Sequence, residues 1–180
     1  MSDQLQILGV RVQPATAVSE EDAAHHVQER LHVLVDVENS SQATLHVWSA
    51  RRAFEYDATT HVLTLHLAEA EPKLPPDIVL ISDHPRVPSQ VTVEAGARAT
   101  IDVPVPTTVR RRVPGEGLGM SFVEEPIRQI DQVALHVQFA DVPFQQVVGE
   151  SPSDHRDRLR AHGHVVRTTL KPTGKRSSKR

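Results

Sequence analysis

Short runs in which apolar residues recur at every second position constrain this chain more than any other feature. Leu31, Val33, Val35 and Val37 alternate with Arg30, His32, Leu34 and Asp36, and Val133, Leu135, Val137 and Phe139 recur at the same spacing. A period of two puts one set of side chains on one face of an extended strand. Valine strengthens the reading, because a β-branched side chain fits a pleated surface better than a helix. Thirteen prolines in 180 residues interrupt any long helix. The chain is therefore expected to be mainly β.

The rest of the chain repeats this grammar. Leu63, Leu65 and Leu67 stand opposite Val62, Thr64 and His66, and shorter runs fall at 43–49, 53–56, 90–93 and 97–105. A first strand over 4–13 contains Gly9, where the alternation of Leu5 and Ile7 changes phase to Val10 and Val12, as a β-bulge would make it do. Asn39-Ser40-Ser41-Gln42, Asp57-Ala58-Thr59-Thr60 and Ala95-Gly96 supply turns, since Asn, Asp and Ser bond their own backbone and Gly accepts turn dihedrals. Pro104 and Pro106 remove two backbone donors, so the strand over 97–105 should end there or lie at a sheet edge. Residues 14–26 read as a loop, 69–76 as a proline-containing connector, 78–81 as a short apolar run and 107–130 as irregular. About seven short strands separated by turns indicate an antiparallel sandwich.

The grammar changes at Ser151-Pro152-Ser153-Asp154. Ser as N-cap, Pro at the first helical position and Asp three residues past the cap mark a helix start. The helix is expected to run to His162, with Gly163 ending it. Residues 164–170 fit either a strand or a helical continuation on the stripe Leu159, Val166, Leu170. Residues 171–180 hold no apolar side chain and are expected to be a disordered basic tail. The organisation read from the chain is a sandwich domain at 1–150, a helical or extended segment at 151–170 and the tail at 171–180.

Val33-Leu34-Val35-Asp36-Val37-Glu38-Asn39-Ser40-Ser41, followed by Leu45-His46-Val47, resembles the strand, Asn turn and strand of bacterial immunoglobulin-like modules. Val93-Glu94-Ala95-Gly96-Ala97-Arg98-Ala99-Thr100-Ile101-Asp102-Val103 is similar to their late hairpin. The resemblance spans roughly 27–105 and concerns fold. It implies an all-β, antiparallel immunoglobulin-like β-sandwich of about seven strands, carrying a short C-terminal helix and the basic tail.

Composition excludes several chemistries. There is no cysteine, which removes disulfides, thiol catalysis and Cys-based zinc sites. Met1-Ser2-Asp3-Gln4-Leu5-Gln6 lacks the basic and apolar regions of a signal peptide, and no apolar run reaches membrane-spanning length, so a cytoplasmic protein is expected. Asn39-Ser40-Ser41 matches a glycosylation acceptor but reads as a turn. Gly119-Met120-Ser121-Phe122-Val123 lacks the closing glycine of a nucleophile elbow. Gly115-Glu116-Gly117-Leu118-Gly119 lacks the spacing of a dinucleotide loop. No catalytic residue, cofactor or metal ligand is assigned on these grounds.

Eleven histidines keep a metal or enzyme reading as one alternative. His32, His46, His66 and His136 fall on outward positions, where opposed strands would bring imidazoles together, and His162-Gly163-His164 could present two more. The competing reading is a solvated face. Arg110, Arg111 and Arg112 are read as anion-binding guanidiniums in a long partner-binding loop, at most two of them sharing a face. Glu124-Glu125 and Glu20-Glu21-Asp22 read as solvation. Trp48, on the outward register, is either an exposed contact or covered by the C-terminal segment, and its bulk favours cover.

Charge is divided sharply. From Arg156 onwards nine Lys or Arg stand against the single acid Asp157, a net +8, while the preceding residues carry eleven basic and twenty-two acidic side chains, a net −11. Arg156, Arg160, Arg167, Lys171, Lys175, Arg176, Lys179 and Arg180 are the candidates for an anionic partner, which could be the acidic body itself. The leading expectation is a non-enzymatic interaction or scaffold protein that docks a protein partner, with the basic tail adding electrostatic attachment. A nucleic-acid accessory protein, using the tail to displace phosphate counterions, is the alternative.

Overall fold

Alternation becomes structure first in β1 (Leu5–Gln13) and β2 (Arg30–Asn39), which pair antiparallel. The register shifts between Ile7 and Gly9, leaving Leu8 as the extra residue of the bulge expected at this glycine. β7 (Arg98–Pro106) pairs with the other side of β2 to complete a three-stranded sheet in the order β1-β2-β7. Pro104 and Pro106 therefore lie in an edge strand, where their missing donors cost no ladder bonds. The structure, a computed structural model, describes residues 4–14, 29–68, 77, 89–115 and 119–173. The readings placed on 15–26, 69–76 and 78–81 lie outside the described residues.

A second sheet holds β3 (Leu45–Trp48), β4 (Ala53–Asp57), β5 (Val62–Leu67), β6 (Gln90–Val93) and β10 (Gln132–Ala140). β5 runs parallel to β10 from the Gln132–Val62 pair to the Val137–Leu67 pair, and β3 takes over at Phe139 and Ala140. This corrects the all-antiparallel expectation: the sheet is mixed. The neighbours β5 and β10 are joined through the whole of 68–131, and local patterning carries no information about such a partner.

The helix forms as its cap predicts. In α1 (Pro152–His162) the Ser151 hydroxyl accepts the Asp154 N–H at 3.2 Å and donates to the Asp154 carboxylate at 2.7 Å. The backbone then passes directly into β11 (Gly163–Leu170), which settles the undecided 164–170 segment as a strand. β11 pairs antiparallel with β10 along Val133–Ala140, so the residues after the helix are built into the second sheet. Beyond it, Thr173 N–H donates to Val10 O at 2.9 Å, tying the chain to β1 of the first sheet.

A further departure lies at 107–130, expected to be irregular. β8 (Thr108–Pro114) and β9 (Met120–Pro126) form an antiparallel two-stranded ribbon of their own. Its residues carry charge on both faces and so lack the apolar face by which strands are recognised. With β4 and β11, the ribbon raises the strand number among the described residues to eleven rather than about seven.

One apolar cluster joins the two larger sheets. Val33, Val35 and Val37 of β2, Ile101, Val103 and Val105 of β7, Leu63, Leu65 and Leu67 of β5, and Val133, Leu135 and Val137 of β10 are all buried in it. Trp48 is buried too, with Phe144, from the segment following β10, set edge-on against it at 5.2 Å between ring centroids. Asn39 pins one end of the body. Its amide donates to Ala43 O at 2.7 Å and Val93 O at 2.8 Å, and its Oδ1 accepts from Ser41 N–H and Oγ. A fully buried Asn whose side chain is bonded this way is a turn device, as read from its sequence.

Candidate functional site

The ribbon is built from its base outward. Val109 is buried and Arg111 is half-buried, so one face of β8 is held to the body. Arg111 donates to Asp77 at 3.1 Å, to Glu125 at 2.9 Å and to the Tyr56 carbonyl. These carboxylates hold its guanidinium above its ordinary pKa and fully charged. Of the three candidate arginines, Arg111 is thus an anchor and unavailable to a partner. A cavity of about 480 Å³ beside it is lined by Glu55, Asp57, Asp77 and Arg111 among others.

Arg110 and Arg112 point the other way and are exposed. Arg110 faces Glu124 and Arg112 faces Phe122 across the ribbon, and the Arg110 guanidinium lies 4.3 Å from the centroid of the Phe122 ring. On their face Met120 is 62 % exposed and Phe122 46 %, and on the other face Val123, opposite Arg111, is 49 % exposed. Sequence reasoning named the arginines but missed these apolar neighbours. The alternation Ser121, Val123, Glu125 against Met120, Phe122, Glu124 was there to be read, yet neither set is uniformly apolar.

The phase of the ladder decides what the ribbon's edges show. Gly115 N–H donates to Gly119 O, and Ile127 N–H donates to Thr107 O, so Val123 bonds back to β8. Arg112 N–H points outward and donates to Asp77 O at 2.7 Å. Opposite it, Phe122 has its N–H and C=O on the far edge, as do Met120 and Glu124. Among the described residues no group meets these backbone atoms.

The four histidines expected to face outward divide into separate settings, and His66 is buried rather than outward. His32 bonds Asp102 at 2.9 Å on the first sheet, and His46 lies 3.2 Å from Gln90 on the second. Only His66 and His136 meet, at adjacent positions of β5 and β10, with 3.1 Å between their Nδ1 atoms. His66 Nε2 reaches Glu55 at 3.1 Å, and Arg167 stands opposite His136 on β11. One proton can sit between the two rings, donated by either Nδ1. Burial first, then His66 and Arg167, push the His136 pKa down, while Glu55 opposes them. His162 bonds Asp141 at 2.8 Å from the end of α1, and His164 lies in β11 near Phe139. Among the described residues no group of three or more His, Asp or Glu is placed to hold a metal ion.

The basic candidates are spread over separate elements. Arg156 and Arg160 are exposed on α1, Arg167 on the outward side of β11, and Lys171 just after it. Lys175, Arg176, Lys179 and Arg180 lie outside the described residues. Arg158, in the same charged stretch, serves the interior instead. It donates to both oxygens of Glu150, at 2.7 and 3.0 Å, and to the carbonyls of Pro143 and Gln145. Bonds from Arg158 and from the Val147 N–H hold the Glu150 carboxyl down to about 2.

No family model matches the chain, and no curated protein or solved structure matches it. No helix among the described residues is long and apolar enough to cross a membrane.

Proposed function

We propose that this chain is a non-enzymatic interaction protein, an immunoglobulin-like β-sandwich that docks a protein partner through the β8–β9 ribbon. The observation that carries this is the exposure of Met120, Phe122 and Val123, within four residues, on a strand whose outward backbone groups meet no partner among the described residues. Apolar side chains grouped at the surface beside arginines suit an interface, because they release water on contact while the guanidiniums set orientation. The remaining large exposed hydrophobics, such as Leu8 and Val165, lie on other elements. In this reading the basic C-terminal residues add electrostatic attachment, Arg156, Arg160, Arg167 and Lys171 being exposed.

Affinity purification of the full chain from its host, beside a Phe122→Ser/Arg112→Glu variant, tests the reading. A protein recovered with the wild type should be identified, purified and rebound, and its binding should fall with the ribbon variant but survive deletion of 171–180. Binding that ignores the ribbon sinks the proposal. Salt-sensitive binding to generic DNA or RNA, abolished by the tail deletion, would favour the nucleic-acid reading instead.

A further inference from the structure

The outer edge of β9, unpaired among the described residues, has a self-complementary partner in its own sequence. We propose that the ribbon pairs with the ribbon of a second copy, β9 against β9 in antiparallel register, with Val123 on the two-fold axis. This rests on the ribbon being the docking element and names its occupant.

Three features argue for it. Backbone groups come first: Met120, Phe122 and Glu124 direct N–H and C=O outward, and no proline, lysine or bulge interrupts the edge before Pro126, which ends it and offers only its carbonyl. Only outward residues can bond a new strand. A two-fold axis at Val123 satisfies this by setting Phe122 opposite Glu124 of the partner subunit, and the reverse.

Charge selects this register. Arg110 already lies over the Phe122 ring. The incoming Glu124 of the partner subunit lands beside that ring, where it meets Arg110 while keeping its own cross-strand arginine. Each copy supplies both the cation and the acid, so the ribbon needs no foreign strand to complete it. On the opposite face the half-exposed Val123 covers its symmetry mate, removing apolar surface from water at the axis. A four-stranded sheet β8-β9-β9-β8 results, with the two bodies at its ends.

The absence of cysteine gives a clean test. Val123 would face its mate in a non-hydrogen-bonded pair, where Cα atoms lie about 4.5 Å apart, within disulfide reach. Full-length Val123→Cys should oxidise to a covalent dimer, whereas Val148→Cys, at a fully exposed position elsewhere, should not. Sedimentation of the wild type should show twice the chain mass. Glu124→Arg should weaken association at least about tenfold by setting like charges together, and Arg110→Glu added to it should restore pairing. That rescue separates lost complementarity from a misfolded ribbon. A wild type that stays monomeric at high concentration, or Val123→Cys cross-linking no better than Val148→Cys, overturns self-pairing. If such a monomer still binds an identified partner through the ribbon, docking stands without self-association. If it binds none, both fall.

Discussion

β10 and β9 are both strands of antiparallel pairs, yet their apolar side chains have opposite fates. In β10 Val133, Leu135 and Val137 are wholly buried between the sheets, while β9 leaves Met120, Phe122 and Val123 to solvent. Alternation reports that a segment is extended. Burial depends on whether a second sheet lies over it. The body has buried its apolar residues in its own core, and the ribbon leaves a few exposed.

The sharpest way to break this comparison is to truncate one side chain from each strand. Leu135→Ala should cost about 2–5 kcal/mol in denaturant unfolding, through lost burial and the cavity left behind. Phe122→Ala should stay within about 0.5 kcal/mol in the same assay at concentrations where the chain is monomeric. Equal losses would mean that the ribbon belongs to the folding core.

Next in size is the polar pin at the end of the body. Asn39→Ala leaves the Ala43 and Val93 carbonyls without their shared donor. A loss of about 1–3 kcal/mol is expected from such unsatisfied groups. Faster amide exchange around Ala43 and Val93, with the ribbon unchanged, would confirm that the effect is confined to the body.

A smaller effect distinguishes buried use of charge from exposed use. Glu150 is held at about 2 against an ordinary 4.5, so its bonds to Arg158 stabilise the fold fully above pH about 4.5. That contribution should fade as pH drops from 4.5 towards 2. Glu150→Gln should flatten this part of an acid titration followed by circular dichroism. Arg160→Ala should leave it unchanged, because Arg160 only grazes Asp157 at 4.0 Å on an open surface.

The smallest expected change concerns His136. Its pKa is lowered from 6.5, so the unfolded chain takes up the proton first and the fold loses stability as pH falls below about 6.5. His136→Gln should reduce that slope without altering stability at pH 8. A slope that persists assigns the effect to other histidines, His46 among them, whose pKa burial also lowers.

Much of this molecule could be read from the chain because strands, turns and caps are local events. The bulge at Gly9, the Asn39 turn, the edge position of Pro104 and Pro106, and the Ser151 cap each depend on a few neighbouring residues. Less of the candidate site was legible. Arg110 and Arg112 stood out as charges, but one of their two cross-strand neighbours, Phe122, becomes their partner only through the register of a hairpin whose strands lack a uniform apolar face. The three adjacent arginines gave no sign that Arg111 is spent on Asp77, Glu125 and the Tyr56 carbonyl.

By itself, then, the sequence determined that the alternating segments of the body are extended, where they turn and which of their faces is apolar, since period and turn chemistry act within a few residues. Only the tertiary structure decided that β5 lies parallel to β10, that 163–170 joins the sheet and that His66 meets His136. It alone left the outward backbone groups of β9 without a partner among the described residues. Those outcomes depend on registers between segments far apart in the chain, and such contacts are selected by the shared core they complete.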